Sequence, residues 1–71
     1  MELNTQLALL VREDRKAWKL TQEAYAKRFG VTRQLVCLWE HGLSQPNADA
    51  LEKMGIEVVF QRTAQRRKRA A

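Results

Sequence analysis

Arg33 and Gln34 stand side by side directly after Thr32. An arginine guanidinium is a rigid fork of donors, and a glutamine amide pairs a donor with an acceptor. Both suit bidentate hydrogen bonding: arginine to the O6 and N7 of guanine, glutamine to the N6 and N7 of adenine. Thr32 is an N-cap type, so the pair falls at a helix start. A helix start also presents free backbone N–H groups that favour a phosphate. The chemistry indicated is contact with base edges and backbone of a nucleic acid. Catalysis finds no comparable constellation. The single histidine, His41, sits at a helix end beside Gly42, and the single cysteine, Cys37, falls on the same side as Arg33 and Gln34. No second Cys or His lies at zinc-ligand spacing, and there is no glycine-rich phosphate loop. The expectation is a non-enzyme with no cofactor and no metal.

The elements that must position these residues occupy 21–43, TQEAYAKRFGVTRQLVCLWEHGL. Thr21 is an N-cap type, and Ala24 to Arg28 carry about two helical turns. Gly30 supplies a residue able to take positive φ, which ends that helix and turns the chain. A second helix runs from Thr32 to Glu40, with Val36 and Trp39 on one face and Arg33, Gln34 and Cys37 opposite. His41 and Gly42 stop it. Two short helices joined by a tight turn, the second with a polar front, form the layout of a helix-turn-helix.

The ordered residues LTQEAYAKRFGVTRQLVCLWEHG resemble the lambda-repressor/Cro-like (XRE) family of DNA-binding domains, over roughly residues 7 to 56. The resemblance implies a bundle of about five helices that binds double-stranded operator DNA as a dimer. It places Gln22 near the phosphates, and Thr32, Arg33, Gln34 and Leu38 toward the groove. It also implies a buried ion pair between Arg15 and Glu40. Two positions depart from the family pattern: Leu35 stands where a small hydroxyl residue is usual, and Leu38 where many relatives carry a polar residue.

Seventy-one residues allow one small domain, a size at which oligomerisation is a usual remedy. No apolar run is long enough to span a membrane, the N-terminus lacks signal-peptide features, and one cysteine suits a reducing cytoplasm, prokaryotic or phage-infected. The net charge of +5 is unevenly placed. Up to residue 60, eight Lys/Arg balance eight Asp/Glu; the excess is Arg62, Arg66, Arg67, Lys68 and Arg69. Overall basicity therefore says nothing about the folded body.

Leu3, Leu7, Leu10, Val11 and Trp18 follow helical spacing, predicting a first helix over 3–17 with Trp18 in the core. Pro46 and Asn47 open a short helix to about 54, with Ala48, Leu51 and Met54 inward and Gly55 as its stop. Residues 56–60, IEVVF, then change period: Ile56, Val58 and Phe60 share one side of a strand. No second strand is visible in the sequence, so its simplest partner is the same segment of another copy, giving a homodimer. The expected fold is mainly α: a small lambda-repressor-like helical bundle with a helix-turn-helix, plus a short C-terminal dimerisation strand. The expected domains are a DNA-binding domain at 1–60 and a basic disordered tail at 61–71, which is either a solvated, solubilising end or a segment that contacts phosphate or docks on an acidic partner. A bundle followed by such a strand resembles the HipB-type antitoxins. That narrower likeness implies an autoregulating repressor that also binds a HipA-like toxin kinase; the alternative is a phage Cro-like or other XRE-type regulator without a toxin partner.

Overall fold

Side-chain caps start three of the four helices among the described residues. Thr21 Oγ1 accepts from the Ala24 N–H at 3.1 Å, Thr32 Oγ1 from Leu35 at 3.1 Å, and Asn47 Oδ1 from Ala50 at 2.8 Å. Each satisfies one donor that a helix start leaves unpaired. The computed structural model describes residues 2–59 and 62–66. The order is α1 (Leu3–Ala17), α2 (Gln22–Phe29), α3 (Arg33–Glu40), α4 (Ala48–Met54), β1 (Ile56–Val59) and β2 (Thr63–Arg66). Between α2 and α3, Gly30 takes φ 67°, which an L side chain adopts only with strain.

The core collects one stripe from each element. Leu7 and Val11 come from α1, Tyr25 and Ala26 from α2, Val36 and Trp39 from α3, Ala50 and Met54 from α4, and Ile56 from β1. Phe29 links two of the rings edge-on, with centroids 4.7 Å from Tyr25 and 6.2 Å from Trp39. These edge-to-face contacts suit the ring quadrupoles. No described helix is long and apolar enough to cross a membrane.

Several expectations are corrected. Four helices stand among the described residues, where the resemblance implied about five. Trp18 is not in the core: it caps α1 and is 53% exposed, with the Arg28 guanidinium 4.0 Å above its ring. Its place beyond the last helical residue takes it off the stripe that begins at Leu3. In α4 Met54 is buried and Leu51 packs against the core as expected, but Ala50 takes the inward place expected of Ala48, which is the exposed first helical residue after the Asn47 cap.

The largest correction is the strand. β1 pairs within the chain, antiparallel to β2, in the register Ile56↔Arg66, Glu57↔Gln65, Val58↔Ala64 and Val59↔Thr63. The segment 63–66 is therefore strand and not part of a disordered tail. Its sequence, TAQR, lacks apolar alternation, and polar contacts to α1 hold it instead. Gln6 Oε1 accepts from the Ala64 N–H at 2.9 Å, and Gln6 Nε2 donates to the Arg62 carbonyl at 3.0 Å. Arg66 lies 3.7 Å from Glu13 and 3.9 Å from Asp14. Ile56 is 1% exposed in the core of its own chain, so it is not available as a dimer contact. Val58, nominally on the same side, lies beyond the edge of the core and is 37% exposed. Phe60, Arg67, Lys68 and Arg69 lie outside the described residues.

Tyr25 carries a buried polar contact that the sequence did not reveal. Its hydroxyl donates to Asp14 Oδ2 at 2.6 Å, with both residues buried. Burial, then the hydrogen bond to Asp14, push the phenol well above its ordinary value of 10.0. The folded state thus keeps a proton that the unfolded chain releases. The associated stability is complete below about pH 10 and declines as pH rises further, by about 1.4 kcal/mol per unit. Tyr25 is the sole tyrosine, so its ultraviolet titration can be read without ambiguity. Tyrosinate absorbance is expected to emerge together with unfolding, and Tyr25→Phe to lose about 1.5–3 kcal/mol at neutral pH while flattening the alkaline decline. Tyrosinate forming in the intact fold near pH 10 would contradict this.

Candidate nucleic-acid interface

Helix α3 has two sharply different sides. Val36, Trp39 and Glu40 are buried, at 0%, 1% and 3% exposure, while Thr32, Arg33 and Gln34 are exposed. Arg33 and Gln34 are its first two helical residues, so their backbone N–H groups have no acceptor within the helix. Thr32 Oγ1 is occupied as an acceptor by Leu35 N–H, which leaves the hydroxyl hydrogen able to donate outward. Leu38, one turn further along, is 40% exposed. Leu35 packs against the core, which accounts for an apolar residue at that position.

Cys37 is half-buried on the outer flank of α3. Its Sγ is 3.5 Å from His41 Nδ1, and that nitrogen is 2.8 Å from the Cys37 carbonyl. The ring is held on the last turn of the helix, and as a donor it satisfies a carbonyl there. Among the described residues, no three His, Cys, Asp or Glu side chains gather into a metal-sized cluster.

An ion pair sets the rotation of α3. Arg15 Nε donates to Glu40 Oε2 at 2.7 Å and Nη2 to Oε1 at 3.1 Å, a two-pronged contact. The third nitrogen, Nη1, donates to the Leu20 carbonyl at 3.0 Å. The hydrogen bond to Glu40 holds the guanidinium above its ordinary pKa. Arg12 adds a bond from Nη2 to the Glu40 carbonyl at 3.0 Å, and its Nε lies 3.9 Å from Glu40 Oε1. The role of Arg12 was missed from sequence; its place one turn before Arg15, on the same face of α1, was the available signal. Gln22, the first residue of α2, is half-buried beside the Thr21 cap. The fold thus brings Arg33, Gln34, Thr32 and Leu38 onto one exposed helix. Gln22 is at the start of the preceding helix, and Arg62 and Arg66 are on the hairpin against α1.

Comparison with known proteins matches this arrangement. The family described as helix-turn-helix matches residues 11–55, more than half of the chain and all of the segment from mid-α1 to the end of α4. A protein of Methanothermobacter thermautotrophicus, described as an uncharacterized HTH-type transcriptional regulator, is 43% identical over 58 residues, covering 72% of this chain and 84% of the relative. No solved structure matches. With the Gly30 turn, the amphipathic α3 and the Arg15–Glu40 pair in place, the chain belongs to the lambda-repressor/Cro-like (XRE) branch of the helix-turn-helix family of DNA-binding domains.

Proposed function

We propose that the protein is a sequence-specific DNA-binding transcriptional repressor acting as a homodimer. The observation that carries the reading is the exposed Arg33–Gln34 pair at the capped start of a helix whose opposite face is locked into the core. Thr32, Arg33 and Gln34 read base edges in the major groove, Leu38 and Cys37 lie further along the same helix, and Gln22 and the helix starts hold phosphates. The relative, described as a transcriptional regulator, points the same way. Loss of Arg33 is expected to act at one base position. In binding assays on a panel of operator variants, Arg33→Ala should weaken binding by about 1–3 kcal/mol, concentrated at that position. Equal weakening across all sequences would argue against base reading by Arg33.

Support for the dimer comes from the strand edges. In an antiparallel pair, residues alternate between facing the partner strand and facing away. The Ala64 N–H turns away from β1 to reach Gln6, so its register partner Val58 turns its own N–H and C=O away from β2. Gln6 closes the outer edge of β2; β1 has no such guard among the described residues. An open strand edge is a template for another strand, and antiparallel pairing of two β1 edges about a two-fold axis gives a closed dimer centred on Val58. Sedimentation of Val58→Lys is expected to show monomer where the parent chain is dimeric. A dimer of unchanged strength would place the interface elsewhere.

A second reading, an antitoxin that also neutralises a HipA-like kinase, is favoured by the strand that follows α4. It predicts that the full chain co-purifies with a kinase-like protein encoded beside it. A stable repressor dimer that ignores that neighbour fits a Cro-like regulator without a toxin partner.

A further inference from the structure

Among the described residues four helix ends close on a residue in the left-handed region of backbone space, and three of those residues are glycines. Gly30, Gly42 and Gly55 have φ of 67°, 72° and 72°; the fourth, after α1, is Lys19 at φ 56°. The hydrogen bonding at the first three helix ends is equivalent. Leu20 N–H donates to the Arg15 carbonyl at 3.2 Å, Val31 to Ala26 at 3.0 Å, and Leu43 to Leu38 at 3.0 Å. This is the bond made by the residue that follows a left-handed helix stop. Glycine meets that backbone requirement freely, whereas a Cβ there is strained. Lys19 is the sole non-glycine with positive φ among the described residues. A strained residue that persists where glycine serves elsewhere in the same chain invites a functional explanation.

The surroundings of Lys19 supply one. It is exposed, two residues before the Thr21 cap and three before Gln22. Its backbone N–H donates to Lys16 at 3.0 Å, and Lys16 is exposed too. Next in the chain, Trp18 lies under the Arg28 guanidinium at 4.0 Å, a stack that steadies a third cation at the junction of α1 and α2. The nearby acid Glu23 makes no ion pair with any of them, and neither Lys16 nor Lys19 has a salt-bridge partner among the described residues. In a helix-turn-helix the helix before the recognition helix crosses the DNA backbone. A lysine also suits the negative end of a helix, but Lys16 already lies in the last turn of α1.

We infer that Lys19 is a phosphate-binding residue, its ammonium contacting the DNA backbone where α1 passes into α2, beside the bases read by α3. This rests on the DNA reading above. The test measures binding of the full chain to mixed-sequence duplex DNA over a salt series, together with thermal melting, for Lys19→Gly, Lys19→Arg and the control Lys53→Gln. Lys53 is paired with Asp49 on α4 at 3.7 Å. Lys19→Gly is expected to lower the slope of log affinity against log salt by about 0.9, the value of one phosphate contact. Its melting temperature should hold or rise by up to about 4–8 °C as strain is relieved. Lys19→Arg should keep the slope. An unchanged slope in Lys19→Gly overturns the assignment, as does an equal fall in Lys53→Gln, which reports net charge and not contact. Failure of the unmodified chain to bind any duplex at low salt overturns the DNA reading itself, a separate outcome.

Discussion

One guanidinium joins three elements. Arg15 reaches from α1 to the Glu40 carboxylate at the end of α3 and to the Leu20 carbonyl just before α2. Glu40 is 3% exposed, so its charge has little water and depends on this partner. Breaking such a buried pair costs about 3–5 kcal/mol, a large share of the roughly 5–15 kcal/mol that holds a small domain together. An apolar pair of similar volume would often be as stable. What the ion pair adds is position: two parallel hydrogen bonds allow one rotation of α3 about its axis. That rotation buries Val36 and Trp39 and leaves Arg33 and Gln34 outside. The outward face of the recognition helix is thus set from its inward face.

A second polar layer joins the hairpin to α1. Asp14 accepts from Tyr25 and lies near Arg66, while Gln6 supplies a donor and an acceptor to β2 much as a neighbouring strand would. The Arg66–Glu13 pair is exposed and contributes little, and the half-exposed Arg66 guanidinium comes no nearer than 3.9 Å to the buried Asp14. The buried Tyr25–Asp14 bond and the packing of Ala64 on the core carry more. This layer also changes the electrostatic picture. Arg66 belongs to the basic excess of the sequence, yet it faces Glu13 and Asp14 on α1. The placement of charge over the surface, not its sum, decides which cations can meet an anionic partner.

Much of the helical architecture was legible in the residues. Thr21, Thr32 and Asn47 marked three helix starts, Gly30 the turn and Gly55 a stop, because capping and positive φ are local demands met by a few residue types. The division of α3 into an apolar and a polar side followed from its period. The Arg15–Glu40 pair came from the family resemblance and not from spacing, since nothing local links positions 25 apart. Arg12, Gln6 and the Tyr25–Asp14 bond were not anticipated, for the same reason. Trp18 misled because an aromatic at helical spacing reads as core, and periodicity cannot tell that the helix has just ended.

The strand separates the two kinds of information most clearly. The β-branched run at 56–59 specified an extended conformation by itself, since its side chains fit a pleated surface. Its partner could not be read, because TAQR has no apolar alternation and pairs through backbone groups that every residue carries. Only the packed fold, with Gln6 on α1 reaching Arg62 and Ala64, selected the in-chain partner and withdrew Ile56 into the core. Sequence alone determined where helices begin, where they turn and which residues stand at the start of α3. Tertiary structure decided the rotation of α3, the pairing of β1 and the burial of Glu40 and Tyr25, because each depends on groups far apart in the chain meeting at hydrogen-bonding distance.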